Sequence, residues 1–288
     1  MNIESQFLEA AQFAGINLDC HIVADGNLHR CHIEGHKIGT KNGAYILHLD
    51  GNQAGWAMNY ATGSIVKWRS DGQTGKLSKA DWTAIETAKK HRQKEQGEAH
   101  HQAALKARSI WNRAIFADAG NAYCYRKKIK PHGAKTGDSG GLKGVLILPL
   151  FDASLKLVNL QFIQADGTKR FLSGGQKKGC FWWVGKKSSK ILIAEGFSTA
   201  ASLHEHTGLQ VFVAFDAGNL TGVAQVVRSN NRDAEIIICG DNDESGVGQR
   251  KARAAALAVG GKYIIPATTG HDWNDSINAG EIIEGGRQ

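Results

Sequence analysis

Over the first 76 residues the apolar positions come in short groups. Phe7, Leu8, Ala11 and Phe13 recur at helical spacing up to Gly15, which predicts an amphipathic helix closed by glycine. Short apolar runs follow, broken by Asp25-Gly26, Asn42-Gly43, Asp50-Gly51 and Asp71-Gly72. Such dipeptides between apolar runs are the chemistry of tight hairpin turns. Tyr45, Trp56, Tyr60 and Trp68 suit a half-buried antiparallel sheet, so residues 1–76 are expected to form a small β-rich module. Residues 77–117 change character: Ser78, Asp81 and Trp82 open a proline-free stretch rich in Ala, Lys, Glu and Gln. It predicts one long helix or two consecutive ones, almost wholly polar from Lys89 to His101, as a solvated connector would be.

Residues 118–189 return to short strands, at Val145–Leu150, Leu157–Ile163, Arg170–Leu172 and Phe181–Val184, and are expected to form an α+β subdomain. From residue 190 to 288 the pattern becomes a βα alternation. Strands are expected at 190–196, 211–218, 235–243 and 262–267, with helices at 197–208, 220–228 and 245–261 between them. Continuous apolar strands alternating with helices imply an α/β fold, a parallel sheet flanked by helices.

Composition changes this picture little: 42% apolar and 22% charged residues are ordinary for a globular protein. The longest apolar runs are far too short to span a bilayer, and the N-terminus lacks a signal-peptide layout, so no membrane association and a cytoplasmic location are expected. Charge changes it more. The formal net charge is +8, and the segment from Arg126 to Lys190 holds 14 basic residues against three acids, Asp138, Asp152 and Asp166. A local excess of 11 exceeds what solubility or strand-edge protection needs and points to a polyanion track. The five cysteines are scattered and odd in number, which argues against a disulfide framework. Cys20, His21, His29, Cys31, His32 and His36 invite a zinc reading, but they lack the close cysteine pairs on which zinc sites are built, and zinc is not expected.

The acids carry the chemistry. In a parallel α/β sheet, ligands bind at the carboxyl ends of the strands. One strand ends at Glu195-Gly196 and another at Asp241-Asn242-Asp243, with Asp272 and Asp275 beyond the last strand. Alternation along an extended segment predicts that Asp241 and Asp243 point the same way. Any one of these acids is explained as a helix cap; acids at two strand ends and again after the last strand are better explained by a cation that neutralises them. Oxygen ligands suit Mg²⁺ or Mn²⁺.

This arrangement resembles the Toprim fold of primases, topoisomerases and related nucleases. The string EGFSTA at Glu195–Ala200 is similar to the EGYATA-type motif of primases carried by satellite phages and conjugative plasmids. His132-Gly133 and residues 145–179 resemble the basic subdomain that precedes Toprim in those primases, and residues 28–63 their leading module. The resemblance implies an Mg-dependent DNA primase of a mobile element, joining ribonucleotides on a single-stranded DNA template. It implies Glu195, Asp241 and Asp243 as catalytic residues, those three with Asp275 as metal ligands, and Asp272 as a further candidate. Glu195 would complete the metal site or act as the base. Arg126, Lys128, Lys169, Arg170, Lys177 and Lys178 would bind template phosphates or the nucleoside triphosphate. Many such primases begin with a zinc ribbon, whose spacing is missing here. No G-x-x-x-x-G-K-[ST] loop is present, since Gly75-Lys76 is followed by Leu77, so a helicase would be a separate partner. The alternatives are a Toprim nuclease and a non-catalytic nucleic-acid-binding replication accessory protein; a tyrosine topoisomerase would need gate domains that a chain of 288 residues lacks.

Overall fold

The computed structural model describes residues 2–49, 53–70, 79–137 and 140–280, without the side chains at 79–82, 84, 85 and 88. The expected turns at Asp50-Gly51 and Asp71-Gly72, Ser78, Asp138 and residues 281–288 lie outside the described residues. The chain is mixed α/β and divides into two compact units, Met1–Glu95 and Gln96–Gln288.

In the first unit helix α1 (Ile3–Phe13) starts at Asn2, whose side-chain oxygen accepts the Ser5 N–H at 2.8 Å. It packs on an antiparallel sheet of β1 (Leu18–Asp19), β2 (His29–Ile33), β3 (Gly43–His48), β4 (Ala54–Asn59) and β5 (Ile65–Arg69), paired in sequence order. Alternation puts Cys31, Ile33, Tyr45, Leu47 and Ala57 on the α1 side, where Phe7 meets Tyr45 and Trp68 with ring centroids 6.2 and 6.0 Å apart. One expected turn is corrected. Asn42-Gly43 is no hairpin: Gly43 opens β3 and pairs with both Cys31 and Asn59. Its glycine is set by packing, since a Cβ there would sit 2.8 Å from Ile33 Cδ1 and 2.9 Å from Cys31 Sγ.

The polar stretch forms one helix, α2 (Lys79–Arg113), within which the division between the units falls. The second unit then builds an antiparallel sheet from β6 (Ile115–Phe116), β7 (Lys135–Thr136), β8 (Leu146–Phe151), β9 (Leu157–Ile163) and β10 (Lys169–Phe171), again in sequence order. The short helix α3 (Ala122–Lys127) lies between β6 and β7. Ala107 of α2 packs on one face of this sheet with Ile147, Leu160 and Phe162.

The third sheet has the order β11-β13-β12-β14-β15. Its strands are β11 (Trp182–Val184), β12 (Lys190–Ala194), β13 (Gln210–Val213), β14 (Glu235–Cys239) and β15 (Lys262–Ile264). The last four are parallel, and β11 runs antiparallel at the edge beside β13. Helices α4 (Phe197–Thr207) and α7 (Trp273–Asn278) contribute Phe197, Leu203 and Trp273 to one core; α5 (Leu220–Asn230) and α6 (Val247–Val259) contribute Val223, Val227, Ala252 and Ala256 to another. Phe151 and Phe181 exchange backbone hydrogen bonds of 2.8 and 2.9 Å, which join the second sheet to the third. Leu146, Leu148 and Leu150 of β8 share a core with Leu192 and Ala194 of β12.

Candidate active site

The acids gather at the carboxyl edge of the third sheet. Ala194 of β12 is in register with Cys239 of β14 and Val213 of β13, so Glu195 follows one strand while Asp241 and Asp216 follow its two neighbours. Gly196 begins α4 with extended backbone, and a Cβ there would meet Lys169 Nζ at 3.6 Å, an ordinary contact, so space alone does not require glycine.

Asp241 and Asp243 differ in their partners. Asp243 accepts the Gly248 N–H at 2.6 Å, the Val247 N–H at 3.2 Å and the Ser245 hydroxyl, so it closes the open N-terminal turn of α6. Burial works against its charge, but these hydrogen bonds outweigh it and hold the carboxyl below its ordinary value. Asp241 Oδ1 and Glu195 Oε1 are buried with no hydrogen-bond partner. Burial, and then the neighbouring acids, push Glu195 up to about 8 and Asp241 up to about 7. Asp272 caps α7 by accepting the Asp275 N–H at 2.9 Å, and Asp275 returns the contact by accepting the Asp272 N–H at 3.4 Å.

Of the basic candidates, Lys169 is the one whose charge acts on both Glu195 and Asp241. It is solvent-accessible, but the cleft walls crowd its ammonium; this lowers its pKa, and the charges of Asp272, Asp241 and Glu195 work the other way. Lys127 donates to Asp275 at 3.1 Å and lies 3.7 Å from Asp272. Lys177 pairs with Asp216 and sits over the Phe171 ring, 5.2 Å from its centroid. Arg170 alternates with Lys169 along β10 and turns the other way, over Phe162. Arg126 lies over the Tyr123 ring, and Lys128 and Lys178 are exposed.

Two residues at the site escape a sequence reading. Asp216 ends β13 by the same logic as Glu195, a signal visible only once β13 is known to lie beside β12. Asn219 is buried and acts as a staple. It accepts the Gly179 N–H at 2.7 Å and donates to the carbonyls of Cys180 at 2.9 Å and Ala214 at 2.8 Å. It thereby ties the loop that bears Lys177 and Lys178 to the end of β13. Of the N-terminal His and Cys set, Cys31 is buried in its core, His32 Nδ1 lies 3.0 Å from the Thr40 carbonyl and His29 pairs with Asp25 at 2.7 Å.

Residues 190–281 match a Toprim domain family. This region is a Toprim domain. Two proteins named DNA primase TraC, from Escherichia coli, align with most of the chain. One is 36% identical over 282 residues, covering 91% of this chain and 26% of the relative; the other is 35% identical over 285 residues, covering 92% and 20%. The chain thus spans about a quarter and a fifth of the length of these relatives. The primase fragment of the bacteriophage T7 primase-helicase superposes with a TM-score of 0.41 at 18% identity, covering 54% of this chain and 69% of that one.

The Toprim acids fit a divalent cation in one respect and not in another. Among the described residues, no three His, Cys, Asp or Glu side chains form a ready-made metal cage. Mg²⁺ does not need one, because it binds through one or two carboxylates and keeps water or phosphate for the rest. The unpartnered oxygens of Glu195 and Asp241, both short of neutralising charge, are donors of that kind. Among the described residues no helix is long and apolar enough to cross a membrane.

Proposed function

We propose that this chain is the catalytic part of a DNA primase of a mobile element, one that joins ribonucleotides into short RNA primers on single-stranded DNA. The observation that carries the proposal is the pair of half-buried carboxylates, Glu195 and Asp241, each with a buried oxygen that has no hydrogen-bond partner, at the carboxyl edge of a Toprim domain faced by Lys169. The identity to proteins named DNA primase over nine-tenths of the chain supports it.

Glu195 and Asp241 are the residues that would hold Mg²⁺ or Mn²⁺, with Asp243 as the third catalytic acid and Asp275 as a further ligand. A bound cation would neutralise these acids and draw charge from the triphosphate in the transition state. The 3′-hydroxyl of one nucleotide attacks the α-phosphorus of the next, and pyrophosphate leaves. Lys169 and Lys127, standing among the acids, favour an anionic substrate at the cleft. Lys177, held by Asp216, and the exposed Lys178, Arg126, Lys128 and Arg170 supply positive charge for template phosphates along the basic subdomain that leads into Toprim.

The test is incorporation of labelled ribonucleotides on single-stranded DNA with Mg²⁺. The expected result is primer synthesis by the native chain and its loss in the Asp241→Ala, Asp243→Ala double variant. Synthesis undiminished in that variant overturns the proposal, and metal-dependent DNA cleavage without nucleotides replaces it with a Toprim nuclease.

A further inference from the structure

A second pocket lies at the opposite edge of the same sheet. Its floor is aromatic: Phe181 and Trp183 of the β11 segment stand beside Phe212 of β13, with ring centroids 5.5–6.4 Å apart. Trp183 is in register with Phe212, and alternation puts both on the α5 side. One wall is the end of α5, with Val226 and Asn230; the other is the β8–β9 turn, where Leu155 stands 59% exposed. Lys186 and Lys187 stand on the rim, both exposed, and neither has an acidic partner among the described residues. The volume is about 630 Å³, within the range of small-molecule sites. Gln210 and Gly185 mark the amino-terminal edge of β13, whereas Glu195 and Asp216 follow the carboxyl ends, so the pocket is separate from the acids.

Gln210 distinguishes this pocket from a mere gap in packing. It is only 8% exposed and lines the cavity. Its backbone N–H donates to Ser188 Oγ at 3.2 Å, but its side-chain amide has no hydrogen-bond partner among the described residues. A ligand that hydrogen-bonds to this amide is favoured over one that covers it without pairing. The amide offers a donor and an acceptor side by side, which matches the edge of a nucleobase. The aromatic floor offers a stacking surface of the kind bases use. Among the described residues no acid lines the cavity, and the paired lysines at its mouth favour a phosphate.

We propose that this pocket is a nucleoside-phosphate site: the base lies on Trp183, its edge pairs with Gln210, and its phosphate meets Lys186 and Lys187.

The test uses the full chain in EDTA, which silences any metal-dependent binding at the acid edge. Photolabelling with 8-azidoadenosine monophosphate, followed by peptide mapping, is expected to mark residues 181–187. Labelling should persist in Asp241→Asn. Lys186→Glu with Lys187→Glu, both on exposed residues, should weaken binding about tenfold or more, and Gln210→Met about tenfold. Competition by adenosine monophosphate alone assigns the site to a free nucleotide; equal competition by a 5′-phosphorylated single-stranded oligonucleotide assigns it to the end of a strand. Either supports the proposal. Label confined to peptides of the acid edge, equal labelling in all variants, or displacement by an acidic peptide but by neither nucleotide overturns it.

Discussion

The carboxylate of Asp243 accepts the backbone N–H of Gly248 at 2.6 Å. That contact needs the absence of a side chain at Gly248, since a Cβ there would lie 2.5 Å from the Asp241 carbonyl oxygen and 2.8 Å from Asp243 Oδ2. Helix propensity alone favours alanine over glycine in α6 by about 1 kcal/mol. The clash decides otherwise. Gly248→Ala is expected to displace both acids and lower primer synthesis on the order of 100-fold. The helix itself should persist, so far-ultraviolet circular dichroism should be unchanged while steady-state incorporation falls.

The two unpartnered acids make stability depend on pH. Burial pushes Glu195 from 4.5 up to about 8 and Asp241 from 3.8 up to about 7. The folded protein therefore holds more protons than the unfolded chain between about pH 4 and 8, and stability falls as pH rises through that window. The stabilisation is fully present below the ordinary carboxylate range and lost above the raised values. In EDTA the thermal midpoint should drop between pH 5 and 8.5, by an amount worth roughly 2–4 kcal/mol. Glu195→Gln should flatten the slope, and Mg²⁺ should raise the midpoint most at the alkaline end. A profile just as steep in Glu195→Gln would detach the effect from this carboxyl.

Asn219 positions Lys177 and Lys178 through the backbone of their loop. Its side chain closes hydrogen bonds to Gly179, Cys180 and Ala214. Asn219→Ala leaves buried backbone groups unpaired and should cost about 2–3 kcal/mol in urea denaturation. It should also raise the KM for template more than it lowers kcat, because the loop carrying Lys177 and Lys178 loses its anchor.

Asp275 and Asp241 should separate under metal titration. Asp275 is already engaged by Lys127 and by the backbone of Asp272, whereas Asp241 Oδ1 has no partner. Asp241→Asn should abolish measurable Mn²⁺ affinity in calorimetry. Asp275→Asn should weaken it only about twofold to threefold while costing about 1 kcal/mol of stability through the helix start.

The βα alternation after residue 190 was legible because its strands are continuous apolar runs, and the positions of Glu195 and Asp241 at strand ends follow from it. What stayed hidden was partnership. Alternation predicts that Asp241 and Asp243 point together, but no pattern announces that β14 ends at Cys239 and that past it the amides of α6 engage Asp243. Lys169 shows a second limit: its place among the acids depends on a sheet from another stretch of chain, which periodicity cannot reveal. Helices α3 and α7, six residues each, are too short to display a period. Asn42-Gly43 reads as a turn by composition, and only the side chains of Ile33 and Cys31 show why glycine stands there.

Strand β11 bears on how the chain can be cut. The Toprim match begins at residue 190, yet the sheet begins at Trp182, and β11 covers the flank of β13. A fragment started at Lys190 would present the backbone of Gln210–Val213, a short apolar strand, as a bare edge, the template on which chains stack into aggregates. A fragment meant to stay in solution has to carry β11, and through Phe181 and Phe151 the hairpin behind it.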